Sequence, residues 1–387
     1  MELNNKQIAI VGGGPGGLTL ARLLQLKGAN VNVYERDLDK NARVQGAPLD
    51  LHEDAGLAAL RKAELLDAFK KNFLRGADKK VITNAHAEIL FSDHDAKPEE
   101  NFGADYFRPE IDRGPLRNLL LTSLKPETVV WNSHFISMET EGEGWRLHFK
   151  NGISVYADIV IAADGANSKI RPYITEIKPF YSGIVMLEGN IHKAKETTPA
   201  MAALFNGGKV MAFGNGKCIL GGQKGNGDLG FYASFKADEQ WPQNCGLDYN
   251  DTSRMLDWFK KEYPGWSAIW NELFENAVPP FIPRPIYCMP LNQHWETKTN
   301  LTMLGDAAHV MPPFAGEGVN MAMRDALELS ECLTSGKFST LQAALSFYEA
   351  NMRKRSSKAA RESLENGETM HSEYALEKML AFFSGHR

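Results

Sequence analysis

Six consecutive residues near the N-terminus, Gly12-Gly13-Gly14-Pro15-Gly16-Gly17, carry a G-x-G-x-x-G pattern through Gly12, Gly14 and Gly17. An apolar run, Gln7–Val11, precedes them, and a segment with helical spacing, Leu18–Leu26, follows. In that context each glycine has a separate task. Gly12 permits a tight turn, Gly14 lets backbone approach a pyrophosphate, and Gly17 lets the helix pack closely on the strand. The unpaired N–H groups at the helix start add a partial positive charge. Glu35 ends a second alternating run, Val31–Glu35, and lies 23 positions after Gly12. A carboxylate there can accept from a ribose, with Arg36 beside it. The plainer alternative is a glycine turn with a solvated Glu-Arg pair, but strand, helix and acid together argue against it. The motif alone does not separate FAD from NAD.

A second constellation lies near the C-terminal end of an apolar strand, Leu301–Leu304. Asp306 directly follows that strand and can accept from ribityl hydroxyls. Pro313, Gly316, Gly318, Val319 and Asn320 then open a helix. Its N–H groups can face the pyrimidine edge of a flavin, where the reduced ring carries negative charge. His309 is placed to be a base, but a histidine in such a run more commonly packs or bonds to backbone. Asp164-Gly165, with Ser168 and Arg171, reads either as an ordinary strand-end turn or as another nucleotide contact. Arg113 and Arg117 share one face of a helix over 115–123 and its approach. They could clamp phosphate or a flavin edge, or form a solvated pair. In Gln45–His52, which includes Asp50, small residues let a ring lie close to backbone.

The elements that must position these groups read as a split unit. Strand, helix and strand open the chain. Short strands separated by Gly-rich turns occupy 129–155, and 158–163 is a further apolar strand. From about 178 to 288 glycines alternate with aromatic residues, which suggests an antiparallel sheet, with helices over Thr252–Tyr263 and Trp266–Asn276. Pro279–Pro290 is proline-rich and reads as a return linker. Helical pattern dominates from Val319, with a long bridging helix over Leu341–Glu365 and a shorter one over Ser372–Phe383. The expected fold is α/β: a Rossmann-like FAD-binding domain of the glutathione-reductase type with an inserted β-sheet substrate domain. Its division is 1–177 and 289–338 for the cofactor domain, 178–288 for the inserted sheet and 339–387 for the C-terminal helices.

Composition limits the alternatives. The 387 residues are 43 % hydrophobic and 24 % charged with a net charge of −5, enough for packed cores. No lysine- or arginine-rich run interleaves with aromatics, so nucleic acid is not an expected partner. No stretch of about 20 apolar residues suggests a membrane span. The N-terminal apolar run is too short for a signal-peptide core. Four cysteines lie far apart, so neither a zinc site nor a disulfide framework is expected. These features read as a reduced cytoplasmic protein, expected as a monomer.

Taken together, Gly12–Gly17, Asp112-Arg113 with Leu116-Arg117, Asp164-Gly165 and Gly305-Asp306 occur in the order that resembles group A flavoprotein monooxygenases, the aromatic-hydroxylase type. Within that group the chain is most similar to TetX-type tetracycline-inactivating enzymes. Val33–Asp37, Leu49–His52, Pro109–Ile111 and Gly305–Asn320 carry that similarity. The resemblance implies FAD held by Asp50, Arg113 and Asp306, with Arg117 a weaker candidate. It implies Arg43 assisting NADPH or NADH, and oxygen transfer from O₂ to an electron-rich carbon of a small molecule by the flavin's own chemistry. No catalytic side chain and no metal are called for. Glu188 and Lys209, with Met211 and Phe314, are the expected substrate-facing residues. At three positions the chain departs from the tetracycline-degrading pattern: Glu188, Lys209 and Gly230 stand where Gln, Arg and His are expected. A flavin reductase or oxidase without oxygen transfer, or a flavin-binding regulator without turnover, would carry the same motifs.

Overall fold

The fold follows from two alternation patterns. A computed structural model describes residue 3 and residues 5–42, 47–96 and 100–384. Near-continuous apolar strands pair in parallel, as strands covered on both faces do. The order in this sheet is Leu301–Met303, Ile159–Ala162, Gln7–Val11, Asn30–Tyr34 and Val129–Val130. The helices Pro15–Leu26 and Gly318–Thr334 pack on it, and one apolar core joins them. Three antiparallel strands between Phe135 and Ala157 form a small separate sheet.

The second large element is a seven-stranded sheet. Its order is Ile282–Cys288, Phe180–Ile191, Leu229–Lys236, Lys217–Gln223, Lys209–Gly214, Lys80–Asn84 and Ile89–Ser92. Two of these strands, Lys80–Asn84 and Ile89–Ser92, come from well before residue 178, and the former runs parallel to Lys209–Gly214. Strict alternation sorts the faces. Val185, Leu187, Val210, Ala212, Phe231 and Ala233 enter one core, beneath the helices Thr252–Glu262 and Asn271–Glu275. That core is aromatic: Phe259 and Phe274 stack at 4.3 Å, and Phe274 stacks again on Phe281 at 5.7 Å. The residues between them, Met186, Glu188, Lys209, Met211, Leu220, Gly230 and Tyr232, stand on the opposite face.

The proline-rich stretch that reads as a linker is in part a strand. Pro283 pairs with Leu187 and Pro285 with Val185 at the edge of the sheet. An edge strand leaves half its N–H groups unpaired, so proline is tolerated there. The long helix Leu341–Met370 runs past both sheets. Tyr348 and Met352 enter the core of the parallel sheet, while Met370 at its other end joins Ile82 and Phe213 of the seven-stranded sheet. The last helix, Ala375–Ser384, lays Leu376, Met379, Leu380 and Phe383 on the same small cluster. Among the described residues no helix is long and apolar enough to cross a membrane, and no group of three His, Cys, Asp or Glu is placed to hold a metal ion.

Candidate active site

The glycine loop is the first wall. Gly12 has φ +116°, and a Cβ there would lie 2.1 Å from the Ala163 carbonyl oxygen. A Cβ on Gly17 would lie 2.1 Å from the Gly12 carbonyl oxygen. Both positions therefore exclude any side chain. Gly14 is different: apart from its chain neighbours, no atom of the described residues lies within 4 Å of the position its Cβ would take. The open space beside Gly14, at the start of the helix Pro15–Leu26, fits a pyrophosphate approaching backbone. Glu35 is buried, and its carboxylate accepts from the Gly13 N–H at 2.5 Å and the Asp37 N–H at 3.0 Å. In this structure the carboxylate expected to accept from a ribose accepts from the glycine loop itself. Arg36 is exposed, near His134.

From that loop a run of charge crosses the molecule. Asp164 accepts from the Lys169 N–H at 2.8 Å through one oxygen, and its other oxygen is buried with no partner among the described residues. Arg171 lies between Asp164 and Asp306 and donates to the carbonyl oxygens of Ala307 (2.7 Å) and Asp306 (3.0 Å). Arg113 lies next along, under the influence of Asp306 on one side and of Glu188 and Tyr232 on the other. Solvent reaches Asp306 and Arg113 although protein surrounds both on nearly all sides. Side chains on the floor of a deep open cleft behave in this way. Burial raises the Asp306 pKa, opposed by His309, Arg113 and Arg171, and burial lowers that of Arg113.

The expected arginine pair does not converge. Arg113 donates to the Ala47 carbonyl oxygen at 3.1 Å. Arg117 is buried, bonds Asp37 at 2.8 Å and the Lys40 carbonyl oxygen at 3.1 Å, and lies over the Trp131 ring. It fastens the loop after the second strand. Asn320 likewise is spent on backbone: it donates to the carbonyl oxygens of Asp50 (2.9 Å) and Gly316 (3.2 Å) and accepts from the His52 N–H at 2.8 Å. That clamp joins the two motifs flanking the cleft. Gly316 has φ +69°, and a Cβ there would lie 3.1 Å from an Asp50 oxygen; Gly318 faces open space. Val319 packs against the core of the parallel sheet. Asp50 takes a 3.1 Å bond from His52; burial works against its ionised form, but His52 and Lys209 hold its pKa below the ordinary range. His309 is buried against Asp325 at 2.6 Å, and Asp325 also accepts from Arg355 at 2.6 Å and the Gly305 N–H at 2.9 Å. It braces the Gly305 turn. Arg43, Gln45 and Gly46 lie outside the described residues.

Where the seven-stranded sheet meets these motifs there is a cavity of about 180 Å³. Pro48, Pro313 and Phe314 wall it from the cofactor side, and Met186, Leu220 and Tyr232 from the sheet. Glu110 and Lys209 also line it. Lys209 Nζ is paired with Glu110 Oε1, a partner that the sequence reading did not assign. Glu188 is buried and bonded to Arg284 Nε at 2.5 Å. Met211 falls beside the cavity wall, in the cluster beneath the last helix. A Cβ on Gly230 would lie 3.5 Å from Lys224 Cε, and Lys224 Nζ bonds Asn190 at 2.8 Å. A lysine thus stands near the position where a histidine was expected. Glu110, Tyr232, Arg284 and Lys224 are the residues the sequence reading missed. The strand alternation that places Glu188 also places Tyr232, its direct cross-strand neighbour.

The residues of the cleft fit FAD: two glycines no side chain can replace, an open third, an orphaned Asp164 oxygen, and Asp306 and Arg113 on the floor. Such a split dinucleotide site with a sheet across it defines a flavin-dependent enzyme. The family model described as "FAD binding domain" matches residues 5–179 and 291–363. The chain belongs to that family, the aromatic-hydroxylase-type flavin monooxygenases. It is 29 % identical over 377 residues to 6-hydroxynicotinate 3-monooxygenase of Pseudomonas fluorescens, covering 93 % of this chain and 91 % of that one. In fold it is similar to Klebsiella pneumoniae HpxO complexed with FAD and uric acid, with a TM-score of 0.77 and 20 % identity over 98 % of this chain and 92 % of that one. It is also similar in fold to the tetracycline destructase Tet(55), with a TM-score of 0.77 and 18 % identity over 100 % of this chain and 96 % of that one.

Proposed function

We propose that this enzyme uses NADPH or NADH and O₂ to hydroxylate a planar phenolic or enolic molecule, and that tetracyclines are the first polycyclic substrates to test. The observation that carries the reading is the apolar cavity between Pro313-Phe314 and the sheet residues Met186, Leu220 and Tyr232. When bound and reduced, the flavin supplies the electrons that activate O₂ for transfer of one oxygen atom. The chain's own residues do the rest. Gly14 and the helix start receive the pyrophosphate, Asp306 holds the ribityl chain, and the start of the Gly318–Thr334 helix offers positive potential toward the ring. The proline and phenylalanine walls orient a flat ligand and exclude water. In this division of labour most of 1–177, with 289–338, holds the cofactor, 178–288 together with the strands Lys80–Asn84 and Ile89–Ser92 forms the sheet that contributes most of the substrate wall, and 339–387 braces the two. The names of the similar proteins support a planar hydroxylated ring as the ligand, and the destructase likeness supports trying tetracyclines.

The test is a panel of tetracyclines, hydroxypyridines and polyphenols with FAD-loaded enzyme, following NADPH and NADH oxidation and product mass together under ¹⁸O₂. A product heavier by one labelled oxygen atom is expected. Pyridine-nucleotide oxidation that yields only hydrogen peroxide across the panel would instead make the enzyme an oxidase.

A further inference from the structure

A free ammonium on Lys209, an expected substrate-facing residue, would meet an anionic ligand. The structure places that charge elsewhere. Lys209 Nζ rests on Glu110 Oε1, and Glu110 is almost wholly enclosed, at 1 % exposure. Its second oxygen is buried without a partner among the described residues. Glu110 stands in the short strand Glu110–Ile111, directly opposite Asp50 in the paired strand Leu49–Asp50. Both Asp50 and Asp78 act on the pair as further negative charges. Lys80, Arg108 and His52 surround this group at longer range. The ammonium on the cavity wall is therefore already matched by the Glu110 carboxylate behind it.

We infer that Glu110 is a specificity-determining residue that governs which ligands Lys209 can hold: while Glu110 is ionised the cavity favours neutral ligands, and an anion is held by Lys209 only when Glu110 takes up a proton. This rests on the reading of the cavity as the substrate site. The balance is simple. A carboxylate ligand brings no proton, so one must pass from solvent to a Glu110 oxygen; no bond to the ligand forms or breaks. A phenol or enol brings its own. Its O–H bond breaks, the proton goes to Glu110, and the ionised oxygen pairs with Lys209, with no change in the charge of the cavity. Neutral hydroxyl compounds are thus the favoured class at and above neutral pH. Burial, ahead of the opposing Lys209 charge, pushes the Glu110 pKa up to about 7, which sets the pH range in which the two ligand classes separate.

Benzoate, anionic throughout pH 6–8.5, and benzamide, its neutral analogue, test this on the oxidised FAD-loaded protein. Binding is read by the flavin absorbance change and by calorimetry in two buffers of different ionisation enthalpy. Benzoate affinity in the unaltered protein should fall about tenfold per pH unit above 7, with one proton taken up per ligand. Glu110→Gln should bind benzoate with no pH dependence, about thirtyfold tighter than the unaltered protein at pH 8.5. Lys209→Met should lose benzoate binding at every pH. Benzamide should be indifferent to pH and to Glu110→Gln. Benzoate binding that is flat in pH without proton uptake in the unaltered protein overturns the inference, and needs no variant to fold. So does absence of benzoate binding at pH 6, or a Glu110→Gln effect equal for both ligands. No turnover is involved, so the labelled-oxygen product decides the hydroxylase reading separately.

Discussion

Replacing Gly14 by alanine separates folding from cofactor binding. The backbone at Gly14 has φ −78° and ψ 177°, extended values any residue adopts, and among the described residues beyond its chain neighbours no atom lies within 4 Å of the new Cβ. Two small terms act on the flavin-free fold. A lower entropy of the unfolded chain stabilises by about 0.4–1 kcal/mol. Loss of the N-cap preference of glycine over alanine destabilises by roughly 0.5–1 kcal/mol. They oppose each other, so flavin-free stability should stay within about 1 kcal/mol of the unaltered protein. The methyl group would fill the space proposed for the pyrophosphate. Weakening one or two charge-assisted hydrogen bonds at about 1.5–3 kcal/mol each lowers FAD affinity by at least about tenfold. Denaturant melts of the flavin-free protein and a fluorescence titration with FAD measure both quantities. Gly17→Ala is the contrast, because its Cβ would lie 2.1 Å from the Gly12 carbonyl oxygen. That crowding should destabilise the fold itself by about 1–3 kcal/mol. FAD affinity within threefold of the unaltered value in Gly14→Ala would refute the placement of the pyrophosphate.

Three further outcomes are expected. Asp306→Asn should weaken FAD binding by about 1–3 kcal/mol in a titration. The same change should stabilise the flavin-free protein, increasingly as pH rises through the folded pKa of Asp306: burial raises that pKa above its ordinary value, so its carboxyl favours the fold only while protonated, and that stability is lost as pH climbs through it. A melting-temperature difference that shrinks with rising pH would contradict this. Glu349 is fully buried and accepts from Trp295 Nε1 (2.9 Å), Thr297 Oγ1 (2.6 Å) and Thr302 Oγ1 (2.8 Å); Glu349→Ala strands these donors and should cost about 3–5 kcal/mol in urea unfolding. Leu380→Ala, at the half-buried contact of the last helix with Ile82 and Phe213, should cost about 1–2 kcal/mol and leave FAD affinity unchanged.

The sequence by itself determined the local chemistry of the cofactor cleft. Gly12, Gly14 and Gly17 are legible because turn geometry and close packing act over a few residues, and only glycine meets them. The strand before them, the helix after them and Asp306 past Leu301–Met303 are legible for the same reason, since apolar periodicity is a local signal. Glu188, Lys209 and Met211 share a sheet face in the structure, but it is the family resemblance, not their spacing, that points to them. Partnership was not legible. Lys209 and Glu110 are 99 positions apart, Glu188 and Arg284 are 96, and nothing in either neighbourhood names the other. Arg113 and Arg117 share a spacing, yet one reaches the cleft and the other the Asp37 loop, because the backbone that receives each belongs to a different segment. Pro283 and Pro285 look like a linker until the edge of a sheet supplies a place where their missing N–H groups do no harm. Whether a charge is free for a ligand depends on which opposite charge the fold has buried beside it, and that is set only when distant strands come into register.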